Sequence, residues 1–422
     1  MSLSPCDTKP LVPLATALDQ LLADVPRVKE TDTIALAQAQ GRVLAETVLS
    51  AVSVPPADNS AMDGYAFCLA DLPEDRLLSV SQRIPAGHAP SPLAKGTATR
   101  LFTGSVIPDG ADCVVMQEQC ELLGDRIRLQ TVPEAGNNIR PAGQDIQPGQ
   151  TVVLEGERLD GRHLGVLASV GVATVKVYRR LRVTVLTTGD ELVMPGGTCG
   201  MGQLYNSNYF TLQGLLEPLG AEVIFPGIVP DTAEATRSAL LRAAAESDLI
   251  ITSGGVSVGE EDHVKAAVEA LGALSLWRLA IKPGKPLAYG RVGDTPILGL
   301  PGNPAAVLVT FLLIARPYLL RMQGVSGRVE LLSIPVKSGI ERSRTIVRDE
   351  YLRASLSWVD GELFAGPQAN QSSGVLSSSL QADGLLLLPA HQPVEKGQLL
   401  SFYPFASVSY THLRAHETSL HL

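Results

Sequence analysis

Four segments between residues 187 and 304 combine glycines, acids and helix-starting residues in ways suited to phosphate chemistry. They are T-T-G-D-E-L (187–192), Asp231 directly after E-V-I-F-P-G-I-V-P, T-S-G-G-V-S-V-G-E-E-D (252–262) and G-L-P-G-N-P (299–304). In the third, Gly254 and Gly259 keep the G-x-x-x-x-G spacing of a P-loop, but Glu260-Glu261 stands where Lys-Ser/Thr is required. That argues against an ordinary nucleotide triphosphatase. Gly254, Gly255 and Ser257 still leave backbone N–H groups able to face an anion; the plainer reading is a strand-to-helix turn with solvated acids. In the fourth, Asn303 suits an N-cap and Pro304 a first helical turn after Pro301, so free amides would face an oxyanion. The same P-G-N-P is also simply a well-made turn. A basic stretch, W-R-L-A-I-K-P-G-K-P (277–286), brings Arg278, Lys282 and Lys285 as local anion partners.

The acids narrow the chemistry. A carboxylate about 4 Å from a phosphate oxygen costs roughly 4 kcal/mol at an effective dielectric of 20. Glu191, Asp231 and Asp262 around phosphates therefore call for a divalent cation. Hard oxygen ligands without a His/Cys cluster point to Mg²⁺ rather than Zn²⁺, and so to metal-assisted cleavage at a phosphate or anhydride. Three polar positions in the first half invite the same question: Asp63 in D-N-S-A-M-D-G-Y-A (58–66), Thr103 in L-F-T-G and Asp145 in A-G-Q-D-I. Asx turns explain Asp58 and Asn59 cheaply, whereas Asp63 before Gly64-Tyr65 sits on a rigid polar loop of the kind that carries function.

The elements that must hold these residues follow from periodicity. Residues 11–25 place apolar side chains at helical spacing. Residues 50–145 break into short β-prone runs between Pro and Gly, with a hairpin expected across Gly124-Asp125. G-R-H-L-G-V-L-A-S-V-G then predicts a short helix before V-A-T-V-K-V-Y. From 181 to 327 the runs R-V-T-V-L-T-T-G, A-E-V-I-F-P-G-I-V, D-L-I-I-T-S-G-G and P-I-L-G-L-P-G alternate with amphipathic helices. This pattern predicts a parallel sheet covered on both faces, with ligands at the carboxyl ends of its strands. Residues 328–405 are β-rich again, with a D-G hairpin in S-W-V-D-G-E-L-F-A-G.

The chain has 422 residues, 45% hydrophobic and 18% charged, enough for about three domains and for cores that need no disulfide. Its five cysteines are scattered and odd in number, as in a reduced cytoplasmic protein. No signal peptide is read at the N-terminus, and the apolar run 305–315 is too short for a bilayer, so it reads as a buried helix. A formal charge of −9 argues against sequence-independent nucleic-acid binding. The tail 406–422 holds three of the seven histidines (His412, His416 and His421) but fits none of these patterns, and it reads as non-native read-through.

Seven motifs in one order resemble the molybdopterin molybdenumtransferase family, which includes the C-terminal domain of gephyrin. They are D-N-S-A-M-D-G-Y-A, T-G-S-V-I-P-x-G-A-D-x-V-V-M-Q-E, N-I-R-P-A-G-Q-D-I, T-T-G-D-E-L, T-S-G-G-V-S-V-G-E-E-D, A-I-K-P-G-K-P and G-L-P-G-N-P, spread over about residues 10 to 405. The resemblance implies a multidomain α/β plus β fold. Its parts are a discontinuous N-terminal/linker domain (1–49 and 146–180), an inserted β domain (50–145), a doubly wound α/β molybdopterin-binding domain (181–327) and a C-terminal β-barrel (328–405). The assembly it implies is an elongated homodimer, with the site between the α/β domain of one subunit and the β insertion of the other.

It further implies that adenylylated molybdopterin and molybdate react with Mg²⁺ to give molybdenum cofactor and AMP. Asp63, Asp145, Glu191, Asp231 and Asp262 would be catalytic, and all of these except Asp145 would also be metal-holding. Thr103 would complete the facing site. Arg278, Lys282, Lys285, Pro301, Asn303 and Pro304 would bind substrate, with Arg348 and Ser373 from the C-terminal domain. Arg278 stands where the family often has Lys, and Gln144 where a second acid is frequent. Molybdopterin adenylyltransferase and molybdoenzyme maturation proteins are the implied partners. The competing readings are an adenylyltransferase-like enzyme on the same α/β module and a non-catalytic scaffold of the gephyrin type.

Overall fold

The structure is a computed structural model that describes residues 10–255 and 263–405. These divide into two compact units, one made of Thr33–Gln40 and Leu44–Val177 and the other of the remaining segments. Asp262 and Ser257, like the tail 406–422, lie outside the described residues.

In the first unit a six-stranded sheet runs in the order Cys113–Met116, Gly64–Phe67, Thr97–Leu101, Leu77–Ile84, Arg126–Leu129 and Cys120–Leu123. The expected hairpin is present, with Leu123 opposite Arg126 and Gly124 at φ 68°, the left-handed conformation that a two-residue turn requires. Gly64 is needed for a different reason. It faces Met116 across the antiparallel ladder, and a Cβ there would run into the Val115 carbonyl. Tyr65, Phe67, Leu78, Val115 and Ile127 fill the core beneath. A separate cluster, Leu44, Leu159, Leu167 and Val177, underlies the helix Gly161–Ser169. Asp160 caps that helix by accepting hydrogen bonds from the Arg162 and His163 amides.

The second unit is built on a sheet in the order Glu222–Ile224, Arg182–Thr188, Leu249–Ser253, Thr295–Leu300, Pro286–Val292 and Gly272–Arg278, with Ile228–Val229 also pairing Arg182–Thr188. Period-two alternation sends side chains to both faces. Leu249, Ile251, Leu298 and Leu300 join Leu212, Leu216, Val307 and Ile314 in one core. Ile250 and Ile297 join Leu240, Ala243, Val264 and Val268 in the other. This is the doubly wound arrangement. Ala17 and Leu21 of the N-terminal helix Leu14–Ala23 belong to the first of these cores.

Two features differ from the sequence expectation. The sheet is mixed, because Pro286–Val292 and Gly272–Arg278 run antiparallel to their neighbours. The cause is local: Gly293 at φ 58° closes a hairpin to Thr295, leaving no room for a crossover helix. The apolar helix also continues beyond Arg316-Pro317 to Met322. Residues Phe311–Ala315 take the wider π geometry, with the Arg316 amide donating to the Phe311 carbonyl. A proline, which has no amide to place in the ladder, follows that widened turn without breaking it. The helix is packed throughout its length, with Phe311, Leu313, Tyr318 and Leu319 all in the core.

The C-terminal strands close a five-membered barrel: Asp349–Val359, Glu362–Pro367, Ile334–Ser338, Leu399–Pro404 and Gly384–Leu388, the last returning to the first. Asp360 and Gly361, at φ 51° and 79°, form the D-G hairpin. A short parallel pairing of Ile281–Lys282 with Asp349 and Glu350 fastens the basic segment to the barrel.

Candidate active site

The strand ends of the α/β layer are held together by one side chain. Asn208, in the first turn of the helix Ser207–Leu216, donates through Nδ2 to the Ser253 hydroxyl at 2.8 Å and to the Gly302 carbonyl at 2.7 Å. Both amide hydrogens are thus spent on two loops from neighbouring strands. The Gly254 amide donates to the Leu300 carbonyl at 3.2 Å, and a Cβ on Gly302 would lie 3.7 Å from the Gly254 Cα. Gly255 is at φ 65°, where a Cβ would strike Val264. Gly254, at φ 91°, and Gly255 are therefore required by left-handed backbone at this rim, and Gly255 also by the Val264 side chain.

Beside these loops lies a cleft of about 710 Å³, within the range of small-molecule sites. Gly254, Gly255, Pro301 and Asn303 contribute one wall, Lys282 and Lys285 a second, and Arg348 and Ser373 from the barrel a third. Sequence positions spread over about 120 residues are thereby brought to one cavity. Among the described residues, three cationic side chains with solvent access (Lys282, Lys285 and Arg348) line it against a single carboxylate, Glu350, while Arg353 lies buried behind the wall. Such a balance selects anions.

The helix Pro304–Thr310 contributes less than expected. Asn303 occupies its N-cap position but makes no side-chain capping bond. Pro304 has no amide, Ala305 donates to the Ser373 carbonyl at 2.9 Å, and Ala306 and Val307 donate to the Asn303 carbonyl. The first-turn amides are thus already satisfied, and the positive character of the wall comes from side chains.

Glu350 and Arg353 were not singled out by the sequence. Glu350 is 3% exposed, 2.7 Å from the Lys282 Nζ through Oε1, and bonded to Arg342 through Oε2. Burial pushes its carboxyl up, but the hydrogen bonds from Lys282 and Arg342 outweigh that and hold it below the ordinary glutamate range. Arg353 is wholly buried. It donates to the Ser378 hydroxyl and to the Asn370 and Ser372 carbonyls, pinning the loop that carries Ser373 against the cleft. Its Nη1 is buried without a hydrogen-bond partner. The only advance signal for these two residues was their place in a strand next to Arg348; buried charge is visible only after folding.

The expected acids fall elsewhere. Glu191 and Asp231 are exposed and do not line the cleft; the Asp231 amide donates to the Asp190 carboxylate at 3.2 Å, which joins their loops. Arg278 and Pro304 are likewise outside the cleft lining. In the other unit Asp63 and Thr103 do meet. The Asp63 Oδ1 accepts from the Thr103 amide at 2.8 Å and from its hydroxyl at 2.9 Å. These bonds, aided by the nearby Arg100 charge, hold the Asp63 carboxyl below its usual range. Asp145 is exposed, its amide bonded to the Val54 carbonyl. Among the described residues no cluster of three or more His, Cys, Asp or Glu side chains could hold a metal unaided. Mg²⁺ commonly uses one or two carboxylates and completes its shell with waters and substrate phosphates, so the exposed carboxylates of Glu191 and Asp231 fit that looser donor set.

Fold and cleft together define a multidomain α/β protein with a cation-lined cleft at the strand ends. Residues 12–171 match the family described as the MoeA N-terminal region (domain I and II), 184–321 a probable molybdopterin binding domain, and 339–405 the MoeA C-terminal region (domain IV). The chain is 43% identical to a molybdopterin molybdenumtransferase of Haemophilus influenzae, over 74% of this chain and 78% of that one. It is 37% identical to one of Nostoc, over 89% and 88%. A molybdopterin biosynthesis protein of Pyrococcus horikoshii superimposes with a TM-score of 0.80 at 28% identity, over 94% of this chain and all of that one. The chain belongs to the molybdopterin molybdenumtransferase family, transferases of molybdenum cofactor biosynthesis. Similarity of this extent favours the transferase over the adenylyltransferase-like and scaffold readings.

Proposed function

We propose that the chain transfers molybdenum from molybdate to adenylylated molybdopterin, with Mg²⁺-dependent release of AMP. The observation that carries this reading is the cationic cleft, about 710 Å³ in volume, assembled from the A-I-K-P-G-K-P, G-L-P-G-N-P and S-G-G segments. Lys282, Lys285 and Arg348 bind the anionic groups, while the Gly254–Gly255 and Pro301–Asn303 backbones shape the wall that orients them. Holding reactants against such a wall removes translational and rotational freedom before reaction, and fixed cations offset charge that shifts when the anhydride breaks. No protein nucleophile is assigned.

Glu191 and Asp231, with Asp262, would hold Mg²⁺, which when bound supplies charge neutralisation at the phosphates. Asp63, Thr103 and Asp145 of the facing subunit would serve molybdate and metal, with the Thr103 hydrogen bonds holding the Asp63 carboxyl below its usual range. The proposal includes a cytoplasmic homodimer that exchanges substrate and product with a molybdopterin adenylyltransferase and with molybdoenzyme maturation proteins. The test is AMP release from adenylylated molybdopterin with Mg²⁺, run with and without molybdate. Molybdate-dependent release with formation of active cofactor supports the reading; a folded protein that releases no AMP overturns it.

A further inference from the structure

Lys282 is one of the cations that line the cleft, yet it already has a partner. Its Nζ lies 2.7 Å from the Glu350 Oε1, and the pairing of strand Ile281–Lys282 with Asp349 and Glu350 fixes that register. The lysine side chain is 53% exposed while that of the glutamate is 3% exposed, so the carboxylate is a fixed element and the ammonium the adaptable one. Glu350 is also the single carboxylate among the described residues that line the cleft. The hydrogen bonds from Lys282 and Arg342 keep it ionised.

We infer that Glu350 is a built-in competitor for Lys282: it occupies the ammonium when the cleft is empty, and an incoming oxyanion must share or displace it. This inference rests on the reading of the cleft as an anion site and adds a residue that sets its affinity. Three cations with no opposing carboxylate would bind substrate and product alike. Uniformly tight binding lowers KM without raising kcat, and it retards release of the product. An internal carboxylate weakens both and gives Lys282 a defined position between turnovers. A unit charge removed about 10 Å from a bound anion changes affinity on the order of tenfold at an effective dielectric near 20, and one removed closer changes it more. The distinguishing mark of the inference is its sign. Removing Glu350 should tighten oxyanion binding, whereas loss of a merely structural residue would loosen it.

The test uses the full chain and inorganic molybdate as probe, with dissociation constants measured by calorimetry at low ionic strength. Wild type, Glu350→Gln, Lys282→Met and the double variant form a cycle. Glu350→Gln should bind molybdate about tenfold more tightly, and this gain should largely disappear in the Lys282→Met background. In turnover the same variant should lower KM for adenylylated molybdopterin without raising kcat. Unchanged or weaker binding by Glu350→Gln, with Lys282→Met still weaker than wild type, overturns the inference and leaves the anion cleft standing. An equal gain in both backgrounds overturns the competition for Lys282 specifically. Equal binding by wild type and Lys282→Met removes the anion role of Lys282 and the inference with it. Should Glu350→Gln fail to fold, Arg342→Gln supplies the opposite sign: Glu350 then rests on Lys282 alone, molybdate binding should weaken severalfold, and unchanged binding refutes the idea.

Discussion

Replacing Asn208 by alanine tests whether the strand-end loops owe their positions to a single amide. The Gly302 carbonyl can only accept, so the Asn208 Nδ2 must face it, and its second hydrogen goes to the Ser253 hydroxyl. Alanine removes both bonds at about 1 kcal/mol each, and the loss is aggravated because Ser253 is buried at 4% exposure. The expected cost is about 2–3 kcal/mol, or a fall in Tm of roughly 4–10 °C for a unit of this size. Asn208→Asp should be worse. It fills the same volume but turns an acceptor toward the Gly302 carbonyl and adds a negative charge beside an anion cleft. Asparagine, alanine and aspartate should therefore rank in that order in thermal unfolding and in kcat/KM for AMP release. Thermal shift and steady-state kinetics on the three proteins decide the matter. If alanine changes Tm by less than about 1 °C and leaves kcat/KM intact, or if aspartate equals asparagine, the loops are positioned by something else.

Gly255→Ala places a side chain at φ 65° against Val264. It should cost about 2–4 kcal/mol from conformation and overlap, read as a lower midpoint in urea; an unchanged midpoint would contradict the geometry. Asp248 accepts two hydrogen bonds from Arg179 and one from the Arg182 amide, and although burial pushes its carboxyl up, these bonds hold it below the ordinary aspartate range. A group whose folded value is depressed contributes stability above its unfolded value, near pH 4, and loses it as pH falls through the folded value. Asp248→Asn should accordingly be less stable than wild type at neutral pH, with the gap closing below about pH 4. A constant gap across an acid titration would count against this assignment. Thr103→Val deletes one of the two bonds that depress Asp63, so the acidic limb of the pH–rate profile should move to higher pH. An unmoved limb with normal folding would remove Asp63 from the ionisations that control turnover.

Local patterning alone determined much of this protein. Alternating and helical periodicity marked the α/β strands and helices, because side-chain direction is set by backbone geometry within a few residues. Gly124 and Asp360-Gly361 marked their hairpins, since only certain residues tolerate positive φ. The motif residues Gly254, Lys282 and Pro301 were likewise legible as a set before any of them had a position, whereas Arg348 entered only through the family resemblance.

Tertiary structure decided the rest, and long-range pairing is the physical reason in each case. The antiparallel edge of the sheet depends on a strand from the basic segment folding back on Thr295–Leu300, a choice among partners that no single run of residues encodes. Of the helix amides that were expected to face an anion, that of Ala305 is taken by the Ser373 carbonyl, about 70 residues away in sequence. Arg353 and Glu350 look like ordinary surface charges in D-E-Y-L-R. Only closure of the barrel buries them, turning one into the pin of a loop and the other into the partner of Lys282.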